Sequence, residues 1–181
     1  PDAVVINSAR GGVVDDEALA LACAAGRAEA VLDVWQDEPH PTAAMLGVVR
    51  IATPHVAGYS LDGKLAGTRM VAAALARFLG VAEPPADIFR TPIAVPEIEV
   101  WSHGRAALRQ AVQHVYDVHA DDRRLRAALE AAGRSPDARG AAFDRLRRDY
   151  PVRREFAGHR VRGAVGEDER RILAELGFAV A

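Results

Sequence analysis

The chain has 181 residues, half of them hydrophobic and 27% charged, with a formal net charge of −2, a composition suited to a globular protein with one core or two small ones. That balance provides no field to gather nucleic acid or anionic lipid, and no apolar run approaches the ~20 residues of a membrane helix. The single cysteine, Cys23, excludes an internal disulfide and fits a small core residue in a reducing, cytoplasmic compartment.

Val4-Val5-Ile6 is a β-branched run of the kind found in buried parallel strands. Asp15 or Asp16 can cap a helix that reaches about Ala25, where Gly26 ends it. Ala30 to Val34 is predicted as a second strand and Val48 to Ala52 as a third. Strand, helix, strand, loop, strand is the rhythm of a doubly wound sheet, whose ligands sit beyond the carboxyl ends of the strands. Leu61 to Leu79 reads as one long helix closed by Gly80, and Glu83-Pro84-Pro85 with Pro92 and Pro96 as a linker. Beyond it the pattern predicts a strand at Glu97–Trp101, an amphipathic helix from Arg105 to about Val118 and a helix over Leu125–Ala132. A helix or turn over Phe143–Tyr150, a strand over Arg160–Ala164 and a last helix over Glu167–Leu176 follow.

Four residues fall just past strand ends and carry chemistry. Arg10, before Gly11-Gly12, can grip a carboxylate with two parallel hydrogen bonds, and the glycines let a ligand approach the backbone. Asp33 can accept from an amide or cap a turn, and Glu38 is stiffened by Pro39. His55, between Thr53-Pro54 and Val56-Ala57-Gly58, is the side chain suited to proton transfer near neutrality. Singly, each has an ordinary reading: surface arginine, helix cap, solvated loop acid, loop histidine. Their order, spacing and common placement give them a joint meaning.

The block Asn7-Ser8-Ala9-Arg10-Gly11-Gly12-Val13-Val14-Asp15, then Leu32-Asp33-Val34-Trp35 with Glu38-Pro39, then Thr53-Pro54-His55, resembles the D-2-hydroxyacid dehydrogenases. His55-Val-Ala-Gly-Tyr-Ser-Leu-Asp-Gly-Lys64 resembles the branch of that family that oxidises 4-phospho-D-erythronate. Tyr116-Asp117-Val118 and Phe143-Asp144-Arg145-Leu146 resemble that branch's C-terminal dimerisation domain. The resemblance implies an α/β fold: the C-terminal part of a doubly wound parallel-sheet NAD-binding domain with its crossover helix over 1–80. A linker over 81–96 and a small α+β dimerisation domain over 97–181 would follow.

It further implies that Arg10 binds the substrate carboxylate, that His55 exchanges the C2 hydroxyl proton, and that Glu38 holds the imidazole. Ser8, Ala9, Arg10, Asp33 and Gly58 would line the NAD site, and Tyr59 would touch the phosphorylated hydroxyacid. The implied product is the 2-oxo acid, in pyridoxal 5′-phosphate synthesis, and the implied partner is a second copy of the chain. No metal, nucleic acid or membrane enters. No Gly-x-Gly-x-x-Gly follows a strand, so the pyrophosphate-binding turn is missing and the chain is expected to be the C-terminal portion of an enzyme.

Two alternatives stand beside this one. A phosphoglycerate dehydrogenase with a regulatory tail would need a compact βαββαβ unit, which the Asp- and Arg-rich tail fits poorly. A non-catalytic, corepressor-like NAD-binding protein would be expected to lack one of Arg10, Glu38 and His55, and all three are present. The arginines between Arg145 and Arg162 are interrupted by Asp149 and Glu155 and have no aromatic stacking platform, which reads as an ion-paired face.

Overall fold

The computed structural model describes residues 3–89, 95–163 and 165–181. In chain order the regular elements are β1 (Ala3–Asn7), α1 (Asp16–Ala24), β2 (Ala28–Leu32), α2 (Ala43–Val48), β3 (Ile51–Ala52), α3 (Leu61–Leu79) and β4 (Glu97–Val100). Then come α4 (Arg105–Val115), α5 (Val118–Ala131), α6 (Pro136–Arg148), β5 (Arg160–Gly163), α7 (Glu167–Glu175) and β6 (Ala179–Val180). They form two compact units: Pro1–Ala57 with Val118–Pro151, and Gly58–Asp117 with Val152–Ala181.

The first unit is built on a parallel sheet in the order β1-β2-β3, with Asn7 opposite Leu32 and Leu32 opposite Ala52. The Asp15 carboxylate accepts the Ala18 N–H at 2.9 Å and starts α1, whose first turn carries Asp16 and Glu17 where the helix dipole favours them. The third strand is shorter than its apolar run suggests. Thr42 caps a helix through a bond from the Met45 N–H at 3.2 Å, so the chain is helical through Val48 and only Ile51–Ala52 pairs as strand.

The two helices α5 and α6 belong to this unit, not to the strands that flank them in sequence. Leu125, Leu129 and Phe143 pack in one buried cluster with Leu32, Trp35, Met45 and Ala52. Polar bonds fix the same contact: Asp122 accepts the Ala52 N–H at 2.8 Å, and Arg126 donates to the Leu46 carbonyl at 2.6 Å and the Val49 carbonyl at 3.1 Å. Arg126 thereby caps the last carbonyls of α2. The packing thus groups 118–151 with 1–57. Helix α5 begins at Val118, seven residues before Leu125, because its charged first half is bonded inward: Asp121 is buried and accepts from Arg124 and from the Tyr150 hydroxyl.

In the second unit, β4, β5 and β6 make another parallel sheet in that order, with Ile98 opposite Val161 and Val161 opposite Val180. Ala107 and Ala111 of α4 and Leu173 of α7 bury against Ile98, Val100 and Val161. Phe156 stacks on Phe178 with ring centroids 4.7 Å apart. Helix α3 runs over the residues its sequence predicts, from a Ser60 cap (Gly63 N–H to Oγ, 2.9 Å) to Gly80 at φ 66°. Residues 90–94 of the expected linker, and Ala164 at the end of the expected strand, lie outside the described residues.

The first turn of α3 is tied to the C-terminal segment. Arg154 Nε donates to Asp62 Oδ2 at 2.8 Å, the Glu155 N–H donates to the same oxygen at 2.8 Å, and the Leu61 N–H donates to the Arg153 carbonyl at 2.8 Å. Partial burial works to raise the Asp62 carboxyl, but the bonds from Arg154 and Glu155 and the Arg154 charge outweigh it and hold the group below its usual range. A carboxyl lowered in the folded state stabilises the fold above its unfolded pKa of about 3.9 and loses that contribution as pH falls through the folded value. Urea denaturation should therefore find Asp62→Asn less stable than the parent near neutrality. The gap should shrink as pH falls below the unfolded value of about 3.9 and through the lower folded one; a gap independent of pH would show that the charge is not what matters.

Candidate active site

Three loops leave the carboxyl ends of β1, β2 and β3, and each brings one of the expected side chains. Asn7, the buried last residue of β1, shapes the first loop from inside: its Oδ1 accepts the Ala9 N–H at 3.1 Å and its Nδ2 donates to the Arg10 carbonyl at 3.0 Å. This Asx-type turn leaves Ser8, Ala9 and Arg10 on the surface. The next residue has to be glycine, because a Cβ at Gly11 would lie 1.9 Å from the Trp35 carbonyl oxygen. The Arg10 loop is therefore pressed against the loop after β2.

The second and third loops are interlocked. Asp33 Oδ1 accepts the Thr53 hydroxyl at 2.6 Å and the Val56 N–H at 2.8 Å, and Oδ2 accepts the Ala57 N–H at 2.9 Å. Trp35 donates its backbone N–H to Glu38 Oε1 at 2.9 Å and its indole N–H to the Thr53 carbonyl at 3.0 Å. The other Glu38 oxygen accepts from His55 Nδ1 at 2.6 Å, with both side chains 23% exposed. His55 sits at φ 56°, a left-handed conformation that costs a non-glycine residue about 1–3 kcal/mol. The bonds to Asp33 on either side of it hold the loop there.

This arrangement has a definite chemical meaning. An ionised carboxylate only accepts, so against it Nδ1 carries the proton and Nε2 is left with a lone pair able to take or return a proton. Of the expected catalytic residues, Glu38 and His55 are brought into contact. Arg10 stands on the neighbouring strand end, with its guanidinium folded back on the Ala9 carbonyl at 2.6 Å. Ser8, Ala9 and Asp33 lie beyond the same strand ends. Gly58, at φ 78°, and Tyr59, with the Lys64 ammonium 4.5 Å from its ring centroid, belong to the second unit.

Asn7, Trp35 and Thr53 were given no role by sequence reasoning. Asn at a strand end with a free N–H two residues on is a readable Asx signal, whereas the Trp35–Thr53 bond spans 18 residues and leaves no local trace. A cavity of about 580 Å³ opens between α5 and α6, lined largely by alanines with Arg124 and Arg145; it reaches Pro54 but is lined by neither Glu38 nor His55. Among the described residues there is no group of three or more His, Cys, Asp or Glu placed to hold a metal ion, and no helix long and apolar enough to cross a membrane.

Residues 1–57 match the family model described as D-isomer specific 2-hydroxyacid dehydrogenase, NAD binding domain, and residues 93–177 that described as domain of unknown function (DUF3410). The erythronate-4-phosphate dehydrogenase of Cellvibrio japonicus is 43% identical over 98% of this chain and 48% of its own length. Those of Azotobacter vinelandii and Marinobacter nauticus are 46% and 43% identical, over 90% and 88% of this chain and 43% and 42% of their own lengths. The chain spans somewhat less than half the length of the curated relatives it matches.

Proposed function

We propose that the chain belongs to the D-2-hydroxyacid dehydrogenases and is the acid–base half of an erythronate-4-phosphate dehydrogenase. It would act as the C-terminal portion of a longer polypeptide that oxidises 4-phospho-D-erythronate to 2-oxo-3-hydroxy-4-phosphobutanoate, in pyridoxal 5′-phosphate synthesis. The observation that carries this reading is the Glu38–His55 bond of 2.6 Å at the carboxyl ends of adjacent parallel strands. The second unit's all-parallel sheet does not favour a βαββαβ regulatory tail.

Each residue's task follows from its chemistry. Arg10 forks the substrate carboxylate and polarises the C2 oxygen. His55 Nε2 takes the C2 hydroxyl proton as the C2 hydride departs, and Glu38 steadies the charge left on the ring. When bound, NAD supplies the acceptor for that hydride. Ser8, Ala9, Arg10, Asp33 and Gly58 would hold it, and Tyr59 would meet the substrate. Asp33 fits this use: three of the roughly four acceptor positions of a carboxylate are filled, leaving one on Oδ2 for a carboxamide N–H.

The test is a chimera in which the N-terminal portion of the Azotobacter vinelandii relative is joined to this chain. With 4-phospho-D-erythronate and NAD it should form NADH, and the chain alone should form none, since reactive geometry needs both halves of the cleft. An inactive, folded chimera, or turnover by the chain alone, would overturn the reading.

The same reading includes a homodimer through the C-terminal domain and a cytoplasmic location. Among the aromatic residues of the C-terminal portion, Phe143 is fully buried and Phe156 is stacked on Phe178, while Trp101 is 73% exposed and available for a dimer contact. Sedimentation of the chimera should give a dimer that Trp101→Ser weakens; a monomeric chimera would remove this part of the proposal.

A further inference from the structure

Trp35 makes two hydrogen bonds that lead to opposite partners of the proton-transfer pair. Its backbone N–H bonds to Glu38 Oε1 at 2.9 Å, and the other oxygen of that carboxylate faces His55. Its indole N–H bonds to the Thr53 carbonyl at 3.0 Å, two residues before His55. The ring is 2% exposed and sits in the apolar cluster with Leu32, Met45 and Phe143, so it has little freedom to swing. Burying an indole N–H is costly unless it finds an acceptor, and here the acceptor belongs to the loop that carries the histidine.

Asp33 serves a different purpose. Its bonds to Thr53, Val56 and Ala57 also tie the histidine loop to the loop after β2, but they hold it at Asp33, five residues before Glu38, and none of them reaches the Glu38 carboxylate. Trp35 is the residue whose bonds reach both the Glu38 carboxylate and the histidine loop. A carboxylate–imidazole bond of 2.6 Å tolerates little displacement, since hydrogen bonds weaken steeply with distance and angle.

We propose that Trp35 is a positioning residue that joins the Glu38 and His55 loops and so fixes which nitrogen of His55 carries the proton. This rests on the reading of Glu38 and His55 as the acid–base pair, and it adds a residue whose contribution is geometric. With the clamp in place, Glu38 accepts from Nδ1–H and Nε2 is kept as the base. With the indole donor removed, the histidine loop keeps its bonds to Asp33 but loses the tie that runs through Trp35 to the Glu38 carboxylate, and the ring gains freedom to take up the Nε2–H tautomer, which cannot accept a proton at that atom.

The decisive change alters one donor and nothing else. Trp35 is replaced site-specifically by β-(3-benzothienyl)alanine, in which sulfur takes the place of the indole N–H and the ring keeps its shape. Long-range ¹H–¹⁵N spectra of this chain, taken with the ring neutral, read the tautomer of His55 directly. The parent chain should be mainly Nδ1–H, and the substituted chain should shift toward Nε2–H by roughly tenfold, the scale of one lost hydrogen bond. The same replacement at the exposed Trp101 should leave the ratio unchanged.

A residue that merely fills the core would lower the urea midpoint without moving this ratio. An unchanged ratio in the Trp35 derivative, when Glu38→Ala does shift it, would overturn the role of Trp35 and leave the pair intact. If Glu38→Ala also leaves the ratio unchanged, the pair itself is wrong, and the proposal falls with it.

Discussion

Replacing His55 by alanine in the chimera should lower kcat by about 10²- to 10⁴-fold while leaving NAD binding nearly intact. In the proposed role the imidazole exchanges the proton of the reacting hydroxyl, and its bond to Glu38 at 2.6 Å would orient it for that task. In the proposed site the loops after β1 and β2, not the imidazole, are the main support of the dinucleotide. Arg10→Ala should behave differently, raising KM and lowering kcat together, because a guanidinium grips both the ground-state carboxylate and the charge that develops on the C2 oxygen. Initial rates over a range of substrate concentrations, with NAD binding followed separately, distinguish the two patterns. A His55→Ala enzyme within about twofold of the parent kcat would assign the proton transfer elsewhere.

Much of the first sheet was legible because its signals are local. Asp15 announces the start of α1, Gly26 its end, and the β-branched run Val4-Val5-Ile6 a parallel strand. The run at Val48 to Ala52 misleads for the same reason. A short apolar stretch fits a strand or the end of a buried helix equally well, and the Thr42 cap six residues upstream decides in favour of helix. What no local pattern could reveal is the partnership of α5 and α6 with the first sheet. Its bonds, such as Asp122 to the Ala52 N–H, join residues 70 positions apart.

The candidate site divides in the same way. Arg10, Glu38 and His55 stand out because residue type and strand-end placement coincide. The bracing of the histidine loop does not, since Asp33 receives two of its three bonds from backbone N–H groups, which every non-proline residue carries. Sequence therefore marks the residues that handle charge more readily than those that hold them in place.

Truncating Phe143 to alanine should cost the first unit about 3–5 kcal/mol, the usual range for emptying a fully buried aromatic site. The ring lies on α6, is completely shielded from solvent, and shares its cluster with Trp35, Leu125 and Leu129. Its loss should therefore be felt on the sheet as well as on the helices. Trp35 is buried and Trp101 largely exposed, so a change in the buried component of the tryptophan emission reports on the first unit. Phe143→Ala should red-shift that component and lower the urea midpoint. Leu173→Ala, which empties a fully buried site in the core of the second unit, should also lower stability but leave the Trp35 emission in place. If Phe143→Ala costs under about 1 kcal/mol and leaves Trp35 unmoved, α6 is not part of the core that supports the Glu38 and His55 loops, and the grouping of 118–151 with 1–57 fails.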